Sequence, residues 1–267
     1  MATARKEVRT QVSPIAVQHP LDPLTPDEIE DAVAILRADR SLGKRVRFET
    51  VVLNEPPKAQ VLRYKDGDPI QREAFIALLD NDTGSTYEAV VSLADRTVKS
   101  WEHIPGVQPK IMLDEFYECE EAVKRDPTFR EALEKRGITD IDLVMVDPWS
   151  AGSFGIKGEE GLRLSFARCW LRSSPTDNGY ARPIEGVIPV VDLNRMEVLR
   201  VEDHGVVPLP PNSGNFAAEF VREFRADLKP LEITQPEGPS FQVDGHQVSW
   251  QKWGLRVGFT PREGLIL

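Results

Sequence analysis

Four histidines, two cysteines and a cluster of glutamates are the side chains with obvious chemical potential. His19, His103, His204 and His246 are far apart, and no two stand at the His-x-His or His-Glu-x-x-His spacing that brings imidazoles onto one metal. Each reads as a surface or loop histidine rather than a ligand. Cys119 and Cys169 form no Cys-x-x-Cys pair. Gly152-Ser153-Phe154-Gly155 lacks the spacing of a nucleophile elbow. Gly152, Gly155 and Gly158 flank Lys157 but fit neither a P-loop nor a dinucleotide fingerprint, so a glycine-rich connection between strands is the better reading. Glu115, Glu118, Glu120 and Glu121 fall on a helical pattern and read as a solvated face, with no carboxylate pair singled out. Arg47, Lys65 and Arg72 are scattered through strand-like runs and make no basic track. No recognisable catalytic set emerges from the residues alone.

The chain as a whole narrows the choice further. A net charge of −10 disfavours a nucleic-acid backbone or an anionic membrane as partner. No stretch approaches the ~20 apolar residues of a membrane span. Residues 1–17 carry Arg5, Lys6 and Arg9 without a following apolar run, so they read as a disordered lead rather than a secretory signal. A cytoplasmic, reducing location with two structural thiols is expected, ahead of a Cys119–Cys169 disulfide.

The elements that would position any site begin at Thr25-Pro26-Asp27-Glu28. Thr25 can cap a helix, Pro26 suits its first turn and Glu28 can close a capping box. Ile29, Val33 and Leu36 recur at helical spacing, and Gly43 stands where the helix should end. Strand-like runs follow over residues 46–53, 59–64, 72–79 and 86–93, punctuated by Asp66-Gly67, residues 81–84 and residues 94–96. Pro105-Gly106 marks a boundary. Helical patterning resumes with Leu113, Phe116, Glu120 and Val123. A second start at Asp126-Pro127 carries Phe129, Ala132 and Leu133 to Gly137. Strands are expected again over 141–146, 162–171, 184–193 and 197–201.

The second block therefore repeats the first in outline. Val90-Val91-Ser92-Leu93 echoes Val190-Val191-Asp192-Leu193, and Val98 echoes Val198, at a fixed offset of 100. The expected fold class is α+β: two cystatin-like domains, each a helix packed on an antiparallel sheet, at 18–105 and 106–211. A linker and the truncated start of a β-sandwich follow at 212–267. The linker is rich in proline and glycine, with a short polar stretch at 217–225 that has helical potential. The tail reads as a hairpin turning at Asp244-Gly245, then an aromatic run through Trp250, Trp253 and Phe259 to Gly264-Leu265-Ile266-Leu267. An isolated hairpin is marginal, so a larger sheet is expected to be missing.

Several segments resemble the copper amine oxidase family. His19-Pro20-Leu21-Asp22-Pro23-Leu24-Thr25 is similar to the opening of that family's first small α+β domain. Gln235-Pro236-Glu237-Gly238-Pro239-Ser240-Phe241 resembles the approach to its catalytic β-sandwich. Trp250-Gln251-Lys252-Trp253, Arg256-Val257-Gly258-Phe259 and Arg262-Glu263-Gly264-Leu265 resemble the start of that sandwich. The resemblance implies a homodimeric enzyme that oxidises a primary amine to an aldehyde, releasing ammonia and hydrogen peroxide. It also implies copper held by three histidines, and topaquinone made from the tyrosine of an Asn-Tyr-Asp/Glu motif. None of Tyr64, Tyr87, Tyr117 and Tyr180 directly follows an asparagine. No catalytic residue is carried over, neither cofactor is expected within these residues, and the 267-residue chain is expected to be inactive.

What the resemblance implies for this chain is a role in access. Phe116 in Asp114-Glu115-Phe116-Tyr117, Trp149 in Asp147-Pro148-Trp149-Ser150 and Tyr180 before Ala181-Arg182-Pro183 resemble residues lining the substrate funnel. Aromatic walls suit amines, offering apolar contact and faces that attract cations. Phe116 fits a helical core stripe equally well. Trp149 and Tyr180 lie in loop-like contexts that favour a channel. The alternative is a non-catalytic two-domain interaction module, binding a partner through the terminal hairpin. A stand-alone enzyme using acidic side chains is the weakest reading.

Overall fold

The structure is a computed structural model that describes residues 17–152, 154–221 and 223–267. The expected disordered lead lies outside the described residues except for Val17, as does Ser153 of the glycine-rich segment.

Helix α1 (Pro26–Arg40) forms for the local reasons anticipated: Thr25 accepts from the Glu28 amide, and Glu28 Oε2 accepts from the Thr25 amide at 2.8 Å. The buried stripe is Ala32, Ile35 and Leu36, while Ile29 and Val33 are only half-buried. Gly43 is not the terminator. Ser41 takes the left-handed conformation at φ 51° and its amide returns to the Arg37 carbonyl. The helix lies on an antiparallel meander of β1 (Val46–Leu53), β2 (Glu73–Asp80), β3 (Ser85–Ser92) and β4 (Thr97–Ile104). Residues 59–64 are not a strand. After Pro56-Pro57, whose carbonyl at Pro57 accepts from Gln60 and Val61, the chain makes one helical turn, α2 (Lys58–Val61), with Leu62 exposed. β4 is a mostly exposed edge strand, and its polar sequence gave it no signal of its own.

The second unit repeats this plan. Helices α3 (Leu113–Arg125) and α4 (Pro127–Glu134) cover a meander of β5 (Val144–Ser150), β6 (Leu164–Leu171), β7 (Val187–Asp192) and β8 (Glu197–Asp203). Asp126 caps α4 through the Phe129 amide at 2.8 Å. Residues 141–143 form a 3₁₀ turn, so the strand begins only at Val144. The offset-100 echo is structural. Both β3–β4 and β7–β8 shift register by one residue before Val91 and Val191, and both turn through a left-handed residue, Arg96 or Met196.

Residues 217–221 form a turn, not the start of a helix, with the Phe220 amide on the Ala217 carbonyl; Arg222, within the stretch of helical potential, lies outside the described residues. The tail has more pairing than a single hairpin. β9 (Gln242–Asp244), β10 (Gln247–Trp250) and β11 (Trp253–Arg256) form a meander, and β12 (Gly258–Thr260) pairs with β13 (Gly264–Ile266). The extra turn falls inside the aromatic run, where Gln251 adopts φ 53° between paired Trp250 and Trp253.

Candidate functional site

Strand β5 alternates, so Val144 and Val146 join the core under the helices while Asp147 and Trp149 point to the other face. There the cross-strand register sets Asp147 opposite Arg168, Trp149 opposite Phe166 and Met145 opposite Trp170. The loop between β6 and β7 adds Tyr180. Its phenol donates to Asp147 Oδ2 at 2.9 Å, and its ring meets Trp170 edge-on at 5.1 Å. The bond to Asp147, helped by partial burial and the carboxylate charge, raises the Tyr180 pKa and keeps it a donor. Gly179 makes this loop possible: it sits at φ 71°, and a Cβ there would lie 2.5 Å from Met145 Sδ.

Trp149 and Tyr180 are each more than half exposed, at 57% and 56%, so neither is a core aromatic. The structure links them through one strand, two residues apart at Asp147 and Trp149. Phe116 comes instead from the helix layer. It is half-buried on α3 and makes no ring contact with either among the described residues. The face presents two aromatic surfaces, the Asp147 carboxylate and, opposite it in register, Arg168, whose guanidinium stands 6.0 Å from the Trp149 ring centre. Such a surface can hold and orient a cation-bearing apolar molecule; it contains no activated nucleophile.

Among the described residues no three histidine, cysteine or acidic side chains lie together as a metal site. His19 packs edge-on against Tyr64, His103 lies beside Tyr87, and His204 faces Glu202. Burial, and then the Arg256 charge, lower the His19 pKa. Both cysteines are free and buried in one core cluster; burial pushes Cys119 up to about 12 and Cys169 higher still. These are packing thiols, unreactive at neutral pH.

The glutamates do not form a solvated face: Glu115 is wholly buried, and half-buried Glu120 accepts from the Val146 amide at 3.0 Å. Arg163 grips Glu115 with two bonds of 2.7 and 2.8 Å, and also donates to the carbonyls of Pro109 and Lys110. Arg72 does the same to Glu28 in the first unit, with the Asp22 and Pro23 carbonyls as its other acceptors. A signal was present, since each glutamate occupies the third position of its helix and each arginine immediately precedes the second strand of its sheet. Between the units lies a cleft of about 860 Å³. Two ion pairs cross it, Arg47 to Glu118 at 2.6 Å and Lys110 to Glu49 at 2.9 Å, and Arg45 at its edge pairs with Asp82 and donates to the Asn194 carbonyl. The cleft is a polar joint between units.

Comparison with known proteins bears on all of this. A domain family described as "AGAO-like N2 domain" matches residues 25–101, and one described as "Copper amine oxidase, N3 domain" matches 114–219. A primary amine oxidase of Arthrobacter sp. (strain P1) is 47% identical over 254 residues, covering 95% of this chain and 39% of the relative. A histamine oxidase of Arthrobacter globiformis is 38% identical over 256 residues, covering 94% of this chain and 37% of the relative. The crystal structure of a copper-containing benzylamine oxidase from Hansenula polymorpha superposes with a TM-score of 0.77 at 26% identity, covering 92% of this chain and 41% of that one. The chain thus spans about two fifths of the length of these proteins.

Proposed function

The chain belongs to the copper amine oxidase family, as its N-terminal portion, and from that premise we propose that it forms the non-catalytic approach to the active site of a primary-amine oxidase. In this reading residues 18–105 and 106–211 are two cystatin-like units and residues 212–267 lead into a catalytic β-sandwich. The complete enzyme is a cytoplasmic homodimer that converts a primary amine, dioxygen and water to an aldehyde, ammonia and hydrogen peroxide. Copper and topaquinone would supply the redox chemistry there. The histidines and tyrosines of this chain do not fit either group, so no step is assigned to them.

The observation that carries the access role is the exposed pair Trp149 and Tyr180, held around Asp147. Burying either ring against substrate would remove apolar surface from water and offer a π-face to an ammonium group. Phe116, on the helix layer across the sheet from these two, would border the channel separately from them. The three oxidases above are named for amines that differ in bulk, or for none, so the aromatic wall is a place where preference could be set.

The test is Trp149→Ala in the complete oxidase. Relative kcat/KM for a small and a bulky amine should change by severalfold, because one ring's worth of wall is removed. Unchanged ratios would remove Trp149 from the channel. A separate check is peroxide production by the purified 267-residue chain, which should show no dependence on added amine.

A further inference from the structure

The two units share their arginine–glutamate latch atom for atom, but not the residues that lend it their carbonyls. Arg72 and Arg163 each grip a helix glutamate, donate to the carbonyls six and five residues before it, and accept at their own carbonyl from the Leu93 or Leu193 amide. The carbonyl six before the glutamate belongs to Asp22 in the first unit and to Pro109 in the second. Proline serves the latch there, so the latch needs no carboxylate at that position.

The Asp22 carboxylate has other work. Its side chain is 5% exposed, and a buried carboxylate is costly unless paired. Oδ2 accepts from the amides of Gln18 and His19, at 2.9 and 3.0 Å. Oδ1 accepts from Arg256 at 2.7 Å, across 234 positions of sequence. Arg256 is the last residue of β11 and lies two before β12, with the Val257 amide bound to the His246 carbonyl. The β12–β13 hairpin that follows shares a hollow with the first unit, where Pro261 and Ile266 face Leu24 and Val51.

We propose that Asp22 is a positioning residue through which the first unit docks the segment 253–266 by its Arg256 side chain. The first unit thereby fixes the path of the chain after the meander, a task that the second unit lacks the residue to perform. This inference stands apart from the channel reading and does not depend on Trp149 or Tyr180.

Hydrogen exchange on the 267-residue chain tests it. Arg256→Gln should speed exchange of the β11 and β12 amides at least tenfold while β1 to β4 keep wild-type protection. Arg256→Lys, which retains the charge, should keep most of the protection. Asp22→Asn preserves an acceptor for Gln18 and His19 but turns an amide group towards Arg256, so it should match Arg256→Gln in the tail. The double variant should exchange no faster than the singles. Wild-type exchange of β11 and β12 in Arg256→Gln would overturn the proposal, and so would loosening of β1–β4 to the same degree as the tail.

Discussion

Replacing Glu115 with Ala would leave the Arg163 guanidinium, 3% exposed, facing two carbonyls and no counter-charge. Breaking a buried pair by removing one partner costs roughly 3–5 kcal/mol, since the remaining charge stays desolvated. The Met112 amide would also lose its 2.7 Å bond to Glu115 Oε2 at the start of α3, adding about 1 kcal/mol. A loss of about 4–6 kcal/mol is a large share of the ~5–15 kcal/mol that holds a domain together. The second unit should then unfold before the first. Urea denaturation followed by far-UV circular dichroism measures the loss, and hydrogen exchange of α3 assigns it to the second unit. Glu115→Leu with Arg163→Met is the decisive companion. It removes both charges, and the freed Pro109 and Lys110 carbonyls lie on partly or fully exposed residues where water can reach them. The double variant should therefore be more stable than Glu115→Leu alone by at least about 2 kcal/mol. A Glu115→Ala loss within ~1 kcal/mol of wild type, or a double variant less stable than either single, would refute the reasoning.

Other outcomes follow from the same geometry. Burial alone would push Glu28 up, but the Arg72 hydrogen bond and charge, together with Thr25, pull it below its ordinary 4.5. A depressed folded pKa stabilises above the unfolded value and is lost as pH falls through the folded one, so the first unit should weaken below about pH 4.5. Glu28→Gln should flatten that slope in acid-unfolding curves. Cys119 and Cys169 should resist a thiol reagent at pH 8 in the native chain and both react in urea, as counted by intact mass. Ser41→Gly should raise stability by roughly 0.5–1 kcal/mol, because Ser41 holds φ 51° at the end of α1. Gly179→Ala should slow no folding of the sheets but loosen the Tyr180 loop, read as faster exchange of the Tyr180 amide, which is bonded to Asn178.

Local chemistry was legible and long-range chemistry was not. Thr25, Pro26 and Glu28 specify the start of α1 within four residues, and Asp126 does the same for α4. Alternating apolar residues located β1, β2, β3 and β6. Residues 59–64 misled because a short apolar run fits a strand or a helical turn, and the preceding prolines decide for the turn. Glu115 misled for a different reason. A glutamate on an amphipathic helix is ordinarily solvated, and only an arginine 48 residues later makes burial tolerable. Of the three aromatic candidates, the two in loop-like contexts, Trp149 and Tyr180, are exposed, and Phe116 on its helical stripe is half-buried. The sequence held no trace of Asp147 as the residue that joins the two exposed ones.

The repeated plan shows where the two units differ. The latch, the β-bulge and the left-handed turn residue are common to both units, so they belong to the scaffold. The second and third strands of the first unit are joined by residues 81–84, whereas residues 172–186 join those of the second. That longer loop is the one that carries Gly179 and Tyr180. The first unit instead carries Asp22, whose side chain reaches Arg256 in the tail. One unit thus carries exposed aromatic surface on a longer loop, and the other carries a buried carboxylate that reaches the tail. Neither feature is part of the core beneath, so the same helix-and-meander frame accommodates both.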